Sequence, residues 1–381
     1  MAATGQGGGR VEALDLLRGL AVLAVVLFHY GFRGAVGDEG FTAISLPALV
    51  PFVKYGSLGV QLFFVISGFV IAYSAERRSA LEFGIARIGR IYPAFIVCMT
   101  VTFIATLVIG APHFEASAAQ WLANLAIAAP ALHRPFMDGA YWSLVYEMTF
   151  YTWIALFIRA GWFPRHLDLI VAAWMVLAVL NRELHFAVLQ RGLLTDQSGF
   201  FAAGLVIYGL YRGRQDLTIK LLLALSTVVA IGQAQDLMQW GRVHLHTTYS
   251  DAVAAAIAVA AIAAVALAVR VRRLPFSPNL VATIGAVTYP LYLLHQHIGY
   301  MIFNRLAGIV TPWLLFAATA AAMVLLAFAV QRYIERPGQR LLKRSLTAAA
   351  AQLSAGAVIL GMTMRELTGM TRAARRRGLA S

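Results

Sequence analysis

Apolar residues along this chain fall into long runs, separated by short stretches in which arginine, proline and glycine collect. Ten runs stand out, near Leu14–Phe32, Ser57–Ala75, Tyr92–Gly110, Tyr141–Arg159, Leu167–Leu180, Ser198–Tyr211, Leu217–Gln233, Asp251–Val269, Val281–Phe303 and Pro312–Ile334. A helix needs about 20 apolar residues to cross the hydrocarbon of a bilayer, and inside lipid it satisfies its own backbone hydrogen bonds. The runs therefore predict an all-α, polytopic membrane bundle of ten transmembrane helices. The fifth and sixth are short for a span, which predicts tilt, a break or a partly interfacial course. Two further apolar stretches, Trp121–Leu132 and Thr347–Met362, are read as interfacial or re-entrant. No internal repeat is visible.

Composition sharpens this picture. Of 381 residues, 60% are hydrophobic and 13% charged, with a mean hydropathy of +0.73, whereas a soluble domain carries about 25% charged residues. A soluble enzyme is excluded. The single cysteine, Cys98, lies inside an apolar run, so there is neither a disulfide framework nor a cysteine metal site. The net charge of +14 comes from clusters between the runs, with no basic helix face and no nucleic-acid motif, so nucleic acid is not an expected partner.

Membrane topology accounts for the charge. Ten spans put both termini on one side, and placing them inside gives the inner segments 23 Lys/Arg against seven outside, or 13 against seven without the C-terminal segment. The positive-inside rule then puts both termini in the cytoplasm. Three regions follow: a flexible leader over 1–13, a membrane domain over 14–337 and a basic cytoplasmic tail over 338–381. Arg10 before an apolar run resembles a signal peptide, but Asp15 and Arg18 interrupt the apolar core, and Gly31–Phe41 offers no small-x-small site. The four arginines of Thr371–Ser381 suit a solvated segment against anionic lipid.

Polar residues within spans are costly, and function is sought there. On the first span Arg18 and His29 are eleven residues apart, about three turns or roughly 16 Å, on nearly the same face. Asp15 stands one turn from Arg18, at ion-pair spacing. Snorkelling of Arg18, neutralised by Asp15, and an ordinary interhelical hydrogen bond at His29 are the bland alternatives. The alignment favours His29 as a proton-transfer group.

Arg87 and Arg90 open the third span at a three-residue step, able to grip phosphate or to anchor topology. Glu147 lies about two turns into the fourth span with Ser143 on the same face, placed to meet a sugar hydroxyl or to orient His29. Ser67-Gly68 in the second span suits close helix packing. His295 and His297 point to different sides of the ninth span and make a poor chelate pair, leaving His295 as a second polar group at the depth of His29. No metal site is expected, since the remaining histidines show no zinc spacing.

Taken together and in this order, LDLLRGLAVLAVVLFHY, FFVISGF, RIGRIYP, YWSLVYEMTFY, YPLYLLH and YIERP resemble the acyltransferase-3 family of membrane-bound O-acyltransferases. The likeness spans residues 14 to 337, through the first four and last two helices. Between about Gly161 and Asn279 it is only that of generic membrane helices. Leu17 stands where family members commonly have glycine. The resemblance implies transfer of an acyl group, acetyl by default, from cytoplasmic acyl-CoA to a hydroxyl of a carbohydrate or lipid-linked saccharide at a bacterial inner membrane. Acyl-CoA is then a co-substrate, with no bound cofactor. By matching positions, Arg18 and His29 form the family's R-x10-H pair, Arg87 and Arg90 its R-x-x-R motif on the acyl-CoA side, and Glu147 the acid of W-S-L-x-x-E. Asp15, Ser143 and His295 are supporting residues, with Glu147 and His295 expected to reach His29 from the outer half. Some relatives carry a fused SGNH-type domain, which is not expected here. A proton-coupled transporter or flippase of a lipid-linked glycan is the reading from another class, with Asp15, Arg18, His29 and Glu147 as a relay. An intramembrane Ser67–His protease has little support.

Overall fold

The computed structural model describes residues 11–37 and 40–352. The leader up to Arg10, the arginine-rich segment from Thr371 and the part of Thr347–Met362 beyond Gln352 lie outside the described residues. Among the described residues the secondary structure is helical, without strands. Ten long helices are α1 (Glu12–Gly31), α2 (Gly59–Ala75), α3 (Ala80–Ile109), α4 (Trp142–Arg159), α5 (Leu167–Leu184), α6 (Ser198–Tyr211), α7 (Leu217–His244), α8 (Asp251–Ala268), α9 (Pro278–Leu306) and α10 (Pro312–Val330). Each coincides with one predicted run. By length and composition, seven are apolar enough to cross a membrane: α1, α2, α3, α6 with the short helix before it, α7, α8 and α10 with the helix that prolongs it. The other three, α4, α5 and α9, carry more polar residues, including Glu147, Asp168, Arg182, Glu183 and the His295–His297 segment.

Helix ends follow capping chemistry rather than hydropathy, which is why several helices overrun their apolar runs. α3 begins twelve residues before Tyr92 because Ser79 and Glu82 form a capping box: the Glu82 N–H donates to Ser79 Oγ at 3.3 Å, and Ser79 N–H to Glu82 Oε2 at 2.9 Å. Asp216 caps α7 through the Ile219 N–H at 3.1 Å, and that helix runs on through Asp236 and Arg242 to His244. Trp121–Leu132 is a seven-residue helix, Ala118–Asn124, followed by a turn of 3-10 helix, and does not span.

The core of the bundle is built by α1, α2, α6 and α9, with α1 packed between α2 and α9, and α2 against α6. The α2–α6 seam depends on two facing glycines: a Cβ on Gly68 would lie 2.2 Å from the Phe201 carbonyl oxygen, and one on Gly204 2.2 Å from that of Val65. Such small-residue seams let membrane helices approach backbone to backbone. α10 passes through a π turn over Gln331–Glu335, and the chain stays helical from 336 to 352. That last helix lies along α3, with Gly338 against Pro93, Gln339 Nε2 donating to the Arg90 carbonyl at 3.3 Å, and Lys343 beside Gly89.

Candidate active site

Position along α9 organises the site. Tyr289, Tyr292 and His295 recur every three residues and follow one face, each step rising about 4.5 Å. At the top of this ladder the fully buried His295 meets His29, from the last turn of α1. His295 Nε2 stands 3.0 Å from His29 Nδ1, with ring centroids 4.9 Å apart. His295 Nδ1 is 2.8 Å from the Tyr292 carbonyl, and His29 Nδ1 is 2.9 Å from that of Val25. A carbonyl only accepts, so His295 carries its proton on Nδ1 and presents a lone pair at Nε2. His29 then bears its proton on Nδ1, shared between Val25 and His295, and its Nε2 is left as an acceptor. Tyr30 fixes the pair from behind, donating from its hydroxyl to the His295 carbonyl at 2.6 Å. Tyr300, buried with its hydroxyl unpartnered, has its ring centroid 6.4 Å from that of His29.

His297 faces elsewhere, as its two-residue offset requires. It clamps the turn that leads into α4: His297 Nδ1 donates to the Met137 carbonyl at 3.1 Å, and Gly139 N–H donates to His297 Nε2 at 3.1 Å. Buried Asp138 completes the clamp, accepting from the Ala140 N–H and the His297 N–H, both at 2.9 Å. This anchoring sets the register of α4, so that Ser143 Oγ lies 2.6 Å from Tyr292 Oη.

One turn further along α4, Glu147 takes a different neighbourhood from the one expected. Its Oε1 accepts from Ser67 Oγ at 3.4 Å and from the Tyr151 hydroxyl, and no contact joins it to His29 among the described residues. The cause is direction: α4 descends away from the histidine level, so Ser143 is level with Tyr292 and Glu147 lies a turn deeper. Of the two residues expected to reach His29, His295 does so and Glu147 does not.

Charge gathers at the other end of the ladder. Asp15, buried on α1, pairs with Arg18 at 2.9 Å and packs on α9 where Gly285 leaves room; a Cβ there would fall 2.3 Å from Asp15 Oδ1. Arg18 remains about 16 Å from His29 along α1, so the two do not act on one atom pair without a long substrate between them. Arg87 and Arg90 have separate surroundings. Arg90 forms an ion pair with buried Glu335, sits 5.6 Å over the Tyr289 ring, and Gln339 Nε2 donates to Glu335 at 2.8 Å. Arg87 lies 5.8 Å over the rings of both Phe83 and Tyr151, and its Nε has no hydrogen-bond partner. Arg87 thus keeps hydrogen-bonding capacity, whereas Arg90 has committed its own to Glu335.

The sequence missed Glu335, Asp138, Tyr151, Tyr292 and Tyr300. Glu335 stands in YIERP, which reads as an ordinary helix end until the π turn carries it to Arg90. Tyr292 was legible in principle, since Tyr-x-x-Tyr-x-x-His is a one-face spacing. Among the described residues no cluster of three or more His, Cys, Asp or Glu could hold a metal ion.

These features define a polytopic helical membrane protein with a polar track between a histidine pair and an arginine-rich end. Residues 11–332 match the family described as "Acyltransferase domain", and the chain belongs to that acyltransferase-3 family. It is 28% identical over 158 residues to the acyltransferase MdmB of Streptomyces mycarofaciens, covering 39% of this chain and 40% of that protein. It is 30% identical over 102 residues to the O-acetyltransferase OatA of Staphylococcus aureus, 24% of this chain and 14% of that one. The chain thus spans less than half the length of these relatives. No solved structure matches it.

Proposed function

We propose that this integral membrane protein is an O-acyltransferase, moving an acyl group, acetyl by default, from acyl-CoA at the arginine-rich end to a hydroxyl of a carbohydrate or lipid-linked saccharide at the histidine end. The observation that carries this reading is the His29–His295 contact, which leaves His29 Nε2 as a base in the last turn of α1. In the reaction, His29 Nε2 takes the acceptor hydroxyl proton as the oxygen attacks the thioester carbonyl carbon. The C–O bond forms, the C–S bond breaks, and the thiolate leaves as CoA, which takes the proton back from His29. Arg87 faces the donor phosphates, Arg18 supports charge at the same end with Asp15 behind it, and Glu147 and Ser143 line the track between. The family membership and the name of the O-acetyltransferase relative support acetyl transfer. The Lys/Arg asymmetry over ten spans supports both termini in the cytoplasm, and the family likeness supports the bacterial inner membrane.

The test is mass spectrometry of ester-linked acyl groups on surface and lipid-linked glycans from a deletion strain, complemented with wild type or with His29→Ala, alongside acyl-CoA turnover by purified protein. An acyl mass that vanishes on deletion and returns only with wild type supports the proposal. Unchanged acylation with altered glycan export favours instead a transporter built on the same polar track.

A further inference from the structure

The helix over 336–352 does more than end the chain: its approach to α3 encloses a groove. Gly338, Gln339 and Lys343 hold it against Pro93, Arg90 and Gly89, and between it and the first two turns of α3 lies a cavity of about 550 Å³. Arg77, Arg78, Glu82, Ile85, Lys343 and Thr347 line it, with alanines from both helices completing the walls. A volume of this order suits a small organic ligand.

Three features of the lining point to one chemistry. Arg77, Arg78 and Lys343 line one cavity beside the first turns of a 30-residue helix, and among the described residues no carboxylate lies within ion-pair distance of any of them, although Glu82 acts on Arg78 electrostatically. That is a site for phosphate. Ile85, Ala86 and Ala351 give apolar walls, of the kind that receives a planar ring. Glu82, which also lines the groove, commits only Oε2 to the capping box, taking both Ser79 N–H and Ser79 Oγ–H at 2.9 Å, so Oε1 keeps its capacity to accept from an N–H donor. An anionic phospholipid headgroup without an amine, such as phosphoglycerol, would use the cations and be repelled by the carboxylate. A phosphorylated aminopurine nucleoside uses all three. The lining of the groove on α3 runs from Ser79 to Ala86, next in sequence to Arg87, whose Nε has no partner.

We propose that this groove binds the 3′-phosphorylated adenosine end of the acyl donor, with Arg78 and Lys343 on phosphate and Glu82 on the exocyclic amine. The proposal rests on the acyl-CoA reading above.

Equilibrium binding of adenosine 3′,5′-bisphosphate to the purified full-length protein in neutral detergent tests it. The bisphosphate should bind, Arg78→Gln and Lys343→Gln should each weaken it at least tenfold, and Glu82→Gln, which retains the capping box, should erase preference over the inosine analogue. Circular dichroism and an unchanged melting temperature certify folding of each variant. Equal binding by wild type and both cation variants overturns the proposal. So does a protein that ignores the bisphosphate but binds phosphatidylglycerol vesicles in an Arg78- and Lys343-dependent way, which makes the groove a lipid anchor. Bisphosphate binding that the variants abolish, in a protein that turns over no acyl-CoA, upholds the nucleotide groove and overturns the donor reading instead.

Discussion

The imidazoles of His29 and His295 meet across two helices, Nδ1 to Nε2 at 3.0 Å, and a backbone carbonyl behind each ring fixes which nitrogen carries the proton. On the proposed reading His295 acts as a positioning residue that holds His29 Nε2 ready to accept. His295→Ala should lower kcat about 10- to 100-fold with little change in donor KM, whereas His29→Ala should cost at least about 100-fold. His295→Gln, whose amide reaches the place of Nε2, should recover part of the loss. Steady-state kinetics on the three variants check this, and full activity in His295→Ala would remove the positioning role.

Arg90 and Glu335 join residues 245 apart, and Glu335 is 3% exposed. Removing one partner of a buried pair strands the other charge, whereas removing both with apolar residues is often tolerated. Arg90 is 39% exposed, so solvent screens part of the effect. Glu335→Leu should destabilise the protein by about 1–3 kcal/mol, and Arg90→Leu/Glu335→Leu should restore a substantial share. Thermal unfolding in detergent reads the cycle; strict additivity of the two losses would show that the pair is uncoupled.

The positions of the ten helices were legible because lipid imposes one simple rule, that a span be apolar and helical; seven of them obey it by length and composition, while α4, α5 and α9 carry more polar residues. Helix ends were less legible, since Ser79 and Asp216 start helices by hydrogen bonding where hydropathy gives no signal. His29, His295 and Ser143 stand out in the sequence because a polar group in an apolar run is conspicuous, and Arg87 because of its three-residue step to Arg90. What each of them touches was not legible, since that depends on how two helices are set in register. Glu147 illustrates the limit: its depth in α4 was correct, but the Asp138–His297 clamp that sets the level of α4 against α9 joins residues 159 apart.

Gly68 and Gly204 hold α2 on α6 with no room for a side chain. Gly68→Ala would put a methyl group 2.2 Å from the backbone oxygen of Phe201, which no rotamer change relieves. The expected outcome is loss of the monodisperse species in size-exclusion chromatography, or a melting temperature lowered by several degrees. Gly84→Ala, a site with nothing within 4 Å of the added carbon, serves as the control and should leave both unchanged.

Asp216 caps α7 outside the apolar spans, and hydrogen bonds from Arg214 and then from the Ile219 N–H hold its carboxyl at about 2. A folded-state value below the unfolded value of about 3.9 means that the cap stabilises fully above that pH and is lost as pH falls towards 2. Amide exchange at the first turn of α7 should therefore accelerate between about pH 4 and pH 2 in wild type, and be fast and nearly pH-independent, after correction for intrinsic rates, in Asp216→Ala. Identical protection in the two proteins at pH 6 would rule out the cap.

Tyr151 links the two halves of the polar track, its hydroxyl on Glu147 and its ring under the Arg87 guanidinium at 5.8 Å. The two contacts separate by substitution. Tyr151→Phe keeps the ring and deletes the donor, leaving Glu147 only the longer hydrogen bond from Ser67 at 3.4 Å. Its expected effect is a kcat several-fold lower at unchanged donor KM. Tyr151→Leu also removes one of the two cation–π contacts, worth about 0.5–2 kcal/mol, so Arg87 keeps only the Phe83 ring and donor KM should rise several-fold as well. Kinetics with varied acyl-CoA on the two variants decide the matter. Equal donor KM in both would mean that the ring does not place Arg87, and equal kcat in wild type and Tyr151→Phe would mean that the carboxylate needs no second donor.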